Sequence, residues 1–71
     1  MNLETRAKIE WFKSADLKAW EFQNIYEFTK KEVANLQKVK NPNKNTSDDI
    51  EYYSEVAKVA QNRLKKLAEV A

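Results

Sequence analysis

Apolar residues recur at helical spacing through the last third of the chain, where two lines of them run side by side. In each line most members are three or four positions apart, a heptad-like spacing that is typical of packed helices. The first line consists of Tyr53, Ala57, Ala60, Leu64, Leu67 and Ala71. The second line consists of Tyr52, Val56, Val59 and Val70. Because a helix with two apolar lines contacts two neighbours, we predict a helix over residues 48–70 that packs against two others.

A similar spacing predicts a helix over residues 15–39. Its apolar line consists of Phe22, Ile25, Thr29, Val33, Leu36 and Val39 or Lys40. Tyr26 and Phe28 flank this line, and we expect Phe22, Tyr26 and Phe28 to lie in the core.

A loop is predicted between these helices, at residues 40–47. It contains the sequence Asn41-Pro42-Asn43, in which Pro fixes φ and lacks a donor while Asn tolerates turn geometry. Ser47 is then the expected N-cap of the last helix. Acidic residues follow it and basic residues come later, an order that complements the helix dipole.

The segment Ser14-Ala15-Asp16 decides whether the first forty residues form one helix or two. Ser14 is a favourable N-cap, and Asp16 would lie in the first turn of the following helix. A break there lets residues 2–13 fold back as a short helix, with Asn2 as N-cap, and cover the second apolar line. We therefore predict one all-α domain over residues 1–71, a small antiparallel three-helix bundle. The alternative is a long helical hairpin that dimerises into a four-helix bundle.

The composition argues against catalysis and against cofactor binding. The 71 residues include no His, Cys or Gly. These absences exclude an imidazole base, a thiol nucleophile, a zinc site of Cys/His type and a glycine-rich phosphate loop. The acidic cluster of Asp48, Asp49, Glu51 and Glu55 is interpreted as helix-start electrostatics rather than a cation site. We predict a protein that is not an enzyme, with no metal, no cofactor and no small-molecule substrate.

Charge and hydropathy favour a cytoplasmic protein with no membrane partner. The formal net charge is only +2, and no apolar run is long enough for a membrane span or a signal peptide. The heavy use of Lys and Asn, whose codons are rich in A and T, suggests a bacterial or phage origin.

The aromatic residues indicate a surface for a partner protein. On a helical wheel Trp20 lies almost opposite the apolar line of its helix, and Trp and Tyr are common in interface hot spots. The candidate partner-binding residues are Trp11, Phe12, Trp20, Tyr52 and Tyr53. We therefore predict a protein–protein interaction module, a small regulator or inhibitor that binds another protein or a second copy of itself.

Two alternative functions follow from other features. A nucleic-acid-binding regulator would use a Lys patch consisting of Lys30, Lys31, Lys38, Lys40, Lys44 and Lys58. Arg6 and Arg63 are the only arginines in the chain, which weakens this hypothesis because Arg makes the bidentate contacts to bases and phosphates. The other alternative is a self-assembling structural subunit.

Overall fold

The computed structural model describes residues 3–70 and confirms a small all-α three-helix bundle. The helices are α1 (Leu3–Ser14), α2 (Ala19–Gln37) and α3 (Lys44–Val70). The predicted cap Asn2 and the last member of the first apolar line, Ala71, lie outside the described residues.

The first break falls where it was predicted, but Ser14 does not act as an N-cap. Ser14 is the last residue of α1, and its hydroxyl lies 3.4 Å from the Trp11 carbonyl. Residues 15–18 are not helical, so α2 begins at Ala19 rather than at residue 15. The Lys18 backbone N–H donates to the Glu21 carboxylate at 3.2 Å, which satisfies a donor at the start of α2.

The second break is shorter than predicted, because Asn43 rather than Ser47 caps α3. The Asn43 side-chain oxygen accepts hydrogen bonds from the Thr46 backbone N–H at 2.9 Å and from the Thr46 hydroxyl at 3.2 Å. The Ser47 N–H already donates to the Asn43 carbonyl at 3.1 Å, as in a helical turn. The loop therefore spans residues 38–43, and α3 begins about one turn before the predicted start at residue 48.

Helix α3 is the central element and contacts both other helices. Phe28 of α2 packs near Tyr53, and Phe22 packs near Arg63, so α2 and α3 are antiparallel. Within residues 3–70, no Cα atom of α1 comes within 8 Å of one in α2. The bundle is accordingly flat, with Cα extents of 44 × 25 × 14 Å.

The core confirms that α1 covers the second apolar line of α3. Ile9 of α1 is buried in one cluster with Val56 and Val59. Phe12, Ile25 and Tyr52 pack against this cluster. All three helices therefore contribute apolar side chains to one small core.

Three residues predicted to face a neighbouring helix, Phe28, Val39 and Leu67, are exposed instead. Val39 is 43% exposed because it lies in the loop, beyond the end of α2. Phe28, expected in the core, is 56% exposed because it lies about 120° around α2 from the fully buried Phe22, at the edge of the face that packs against α3. Leu67 is 36% exposed. Since Phe22 lies level with Arg63, Leu67 is a turn beyond that level and close to the start of α2. Periodicity placed Phe28 and Leu67 near a helix contact. Phe28 lies to the side of the face that packs against α3, and Leu67 lies near the start of α2, so neither side chain is fully covered.

Candidate protein-interaction surface

The two indoles are the largest exposed apolar groups at the end of the bundle where α1 connects to α2. Trp11 is 58% exposed and Trp20 is 63% exposed. Each lies two positions from a buried residue, Ile9 and Phe22 respectively. Two positions rotate a side chain by about 200° around a helix. Both indoles therefore point away from α3.

Trp11 packs against an aromatic neighbour in α1. Its ring meets Phe12 edge-on, with centroids 5.1 Å apart and an interplanar angle of 74°. Phe12 is half-buried and packs against the cluster around Ile9. Such edge-to-face pairs contribute roughly 0.5–1.5 kcal/mol beyond area burial, so the pair restrains the indole in an exposed position.

Tyr52 and Tyr53 form a second aromatic group with Phe28. The tyrosine rings lie 5.3 Å apart, and Phe28 approaches Tyr53 edge-on at 6.2 Å. Tyr52 also packs against the central cluster, so it is half-buried. Phe28 is a surface aromatic, although its position beside the apolar line predicted that it would lie in the core.

The five predicted partner-binding residues thus lie at two levels along the bundle rather than at one. Phe12 is level with Arg63, because the Arg63 guanidinium donates to the Phe12 carbonyl at 3.3 Å. Tyr52 lies eleven residues before Arg63 in α3, or about 16 Å along the helix axis. We name the two exposed indoles at the first level, Trp11 and Trp20, the tryptophan surface, and the ring cluster of Phe28, Tyr52 and Tyr53 the tyrosine surface. Phe12 is half-buried and belongs to neither.

Arg63 joins the three helices beneath the tryptophan surface, a role that sequence analysis did not predict. Its guanidinium donates to the Lys13 carbonyl at 2.6 Å, in addition to the Phe12 carbonyl, and so satisfies carbonyls at the end of α1. It also lies 4.8 Å from the centroid of the Phe22 ring in α2. The signal available in the sequence was the position of Arg63 in the second apolar line, four residues after Val59 and seven before Val70.

Lys13 is also part of an ion pair within α1. Its ammonium group donates to the Glu10 carboxylate at 2.8 Å. This hydrogen bond, together with the charge of Glu10, raises the pKa of Lys13 above its ordinary value of 10.5. The pair is exposed, so it fixes local geometry more than it stabilises the fold.

The lysines of the predicted nucleic-acid patch are spread over different parts of the surface. Lys30 and Lys58 line one groove between α2 and α3. Lys44 lines a different cleft beside α1. Lys31, Lys38 and Lys40 are exposed on α2 and in the loop, outside both depressions. Lys30 and Lys58 therefore share a groove, whereas Lys44 lies in a different cleft.

The cleft beside α1 is charge-balanced. It has a volume of about 780 Å³ and is lined by Thr5, Lys8, Lys44, Asn45, Asp48, Asp49, Tyr52 and Tyr53. Two carboxylates and two ammonium groups therefore share it. Among residues 3–70, no group of three or more carboxylate, His or Cys side chains is placed to hold a metal ion.

Comparisons with known proteins yield no relative for this chain. No protein-family model, curated protein or solved structure matches it. None of the helices in the described part of the chain has the length and hydropathy that a membrane span requires.

Proposed function

We propose that this protein is a non-catalytic interaction module that binds a partner protein through the tryptophan surface. The observation that carries the proposal is the exposure of two indoles, Trp11 and Trp20, at the same end of a small bundle. A module of this size would act as a regulator or inhibitor by covering a functional surface of a larger protein.

The exposed indoles have enough apolar area to matter for binding. Each leaves roughly 150 Å² in water, judged from the area that a Trp residue can bury. Covering that area is worth roughly 3–4 kcal/mol per indole at about 25 cal/mol per Å², before the costs of association. Trp is also a rigid side chain that is enriched in interface hot spots.

The distribution of charge supports a protein partner over a nucleic acid. A nucleic-acid surface needs several cations that face one backbone, and each neutralised phosphate adds to the salt dependence of binding. Here Lys30 and Lys58 face one groove, while Lys44 shares a cleft with Asp48 and Asp49. We therefore retain protein binding as the proposal.

The test compares three baits in affinity capture from a lysate of the organism that naturally produces the protein. The baits are the wild-type protein, the double variant Trp11→Ala/Trp20→Ala and the control Phe28→Ala. Phe28 is a matched control because it is exposed to a similar extent but belongs to the tyrosine surface. We expect a bound protein that the wild type and the control retain and the double variant loses.

Two measurements make that outcome interpretable. Circular dichroism and urea unfolding check that all three baits are folded, which we expect because the replaced side chains point into solvent. Sedimentation over a concentration series separates a partner protein from a second copy. A wild-type oligomer that the double variant abolishes would indicate self-assembly, and equal capture by all three baits would contradict the tryptophan surface.

A further inference from the structure

A second groove lies between α2 and α3 and is distinct from both aromatic surfaces. Its volume is about 410 Å³. The residues that line it are Tyr26, Lys30, Val33, Ala34 and Gln37 from α2 and Ser54, Ala57, Lys58 and Gln61 from α3. None of these side chains contributes to the cluster that contacts α1.

The groove lies on the side of α3 that α1 does not cover. Val56 and Val59 face α1, whereas Gln61 lies about 150° around α3 from either of them. From Tyr26 to Gln37 the α2 wall contains twelve residues and is about 16 Å long. This length matches three turns of a helix laid along the groove.

The groove residues suit the close approach of a helix. Ala34, Ser54 and Ala57 are small, and small residues at a contact allow helix axes to approach to about 8 Å. Tyr26 and Val33 add apolar surface, which is the usual basis of helix-in-groove recognition.

The charges at the groove select the chemistry of its occupant. Lys30 and Lys58 are both exposed, and none of the described residues that line the groove carries a carboxylate. The Lys30 ammonium lies 5.2 Å from the Tyr26 ring centroid, above apolar surface. Lys58 pairs with Glu55 at 3.5 Å, yet its side chain remains 71% exposed and able to meet another anion.

From this arrangement we infer that the groove binds an acidic amphipathic helix of a partner protein. The apolar face of that helix would lie along Val33 and Ala57, and its Glu or Asp side chains would flank that face and meet Lys30 and Lys58. A second copy of this chain is a poorer occupant, because two copies paired through this groove would bring lysines together. The groove lies apart from Trp11 and Trp20, so the inference is independent of the tryptophan surface.

The experiment is a selection of helical peptides on the intact protein. The probe is a display library of amphipathic helices of about 18 residues, in which the positions flanking the apolar face vary among Glu, Gln and Lys. We expect at least tenfold enrichment of Glu over Lys at these positions on the wild type. On Lys30→Glu/Lys58→Glu we expect the preference to reverse.

A matched variant and a structural readout show where on the protein the selected peptide binds. Lys31→Glu/Lys66→Glu makes the same charge change outside the groove and should retain the preference for Glu. Ala57→Tyr, which fills the groove without changing its charge, should weaken binding of the selected peptide by at least tenfold. On the wild type, peptide binding should shift the amide resonances along Tyr26–Gln37.

The inference would be wrong if no peptide were enriched or if the selected peptides lacked acidic flanks. It would also be wrong if the two double variants behaved alike, or if the largest shifts fell around Tyr53 or around Trp11 and Trp20. The Trp11→Ala/Trp20→Ala variant should bind the selected peptide as the wild type does. Failure of the tryptophan surface and failure of the groove are therefore distinguishable.

Discussion

Replacing Arg63 with alanine tests how the three helices are held together. The guanidinium donates to the last carbonyls of α1 at Phe12 and Lys13 and lies over the Phe22 ring of α2. Because α1 and α2 do not approach each other closely along their backbones, Arg63 links them through α3. We therefore expect Arg63→Ala to weaken the attachment of α1 and the stability of the bundle together.

The magnitude follows from the contacts. Hydrogen bonds that involve a charged group contribute roughly 1.5–3 kcal/mol, and we take the low end because the Lys13 end of the contact is exposed. The contact with Phe22 adds about 1 kcal/mol at a half-buried position. We expect Arg63→Ala to lower the free energy of unfolding by about 2–3 kcal/mol. For a domain of this size that corresponds to a fall in Tm of roughly 10–20 °C.

Urea and thermal unfolding, followed by circular dichroism at the helix band, measure the effect. Arg6→Ala is the matched control because Arg6 is exposed on α1, and it should change stability by less than about 0.5 kcal/mol. Arg63→Lys should show part of the loss, since an ammonium group can donate to the α1 carbonyls but cannot place a planar guanidinium over the Phe22 ring. If Arg63→Ala lowered the free energy of unfolding by less than about 0.5 kcal/mol, Arg63 would not be an important link between the helices.

Three further predictions concern a helix cap, a buried hydroxyl and the contact of α1, all measured by urea unfolding. Asn43→Ala should lower the free energy of unfolding by about 1 kcal/mol because it removes the α3 cap. Thr29→Val should change stability by less than about 1 kcal/mol, because the buried Thr29 hydroxyl donates only to helix carbonyls at residues 25 and 26. Ile9→Ala should cost about 2–4 kcal/mol and detach α1, since Ile9 is buried against α3.

Each of these predictions has a contrasting variant or result. Ser47→Ala should be nearly neutral, and a cost equal to that of Asn43→Ala would show that the cap is misassigned. A loss above about 2 kcal/mol for Thr29→Val would mean that the hydroxyl is needed in the core. A loss below about 1 kcal/mol for Ile9→Ala would mean that α1 is only loosely attached.

The positions of apolar residues predicted that the last helix packs against two others, and the break near Ser14 supplied the third helix. Two lines on α3 required two neighbours, and Ile9 of α1 packs against Val56 and Val59 as that requirement implied. Spacing could not identify the cap of α3, because Asn43 and Ser47 are both good N-cap residues. The choice depends on where the loop ends, and the hydrogen bonds to Asn43 show that it ends one turn earlier.

The aromatic candidates show the limit of a helical wheel. The wheel placed Trp20 away from the core, and Trp20 is exposed. It also placed Phe28 with the core, although Phe28 is more than half exposed. A wheel gives the direction of a side chain around one helix, but burial also requires that another helix lie in that direction.

The sequence by itself therefore determined the helical composition, the approximate breaks and the absence of His, Cys and Gly. These properties are local, because hydrophobic periodicity and turn chemistry act within a few residues. Only the tertiary structure decided that Arg63 joins α1 to α2, and that Lys30 and Lys58 share a groove which Lys44 does not. Those relations join residues that are distant in sequence, so they depend on how the helices pack in space.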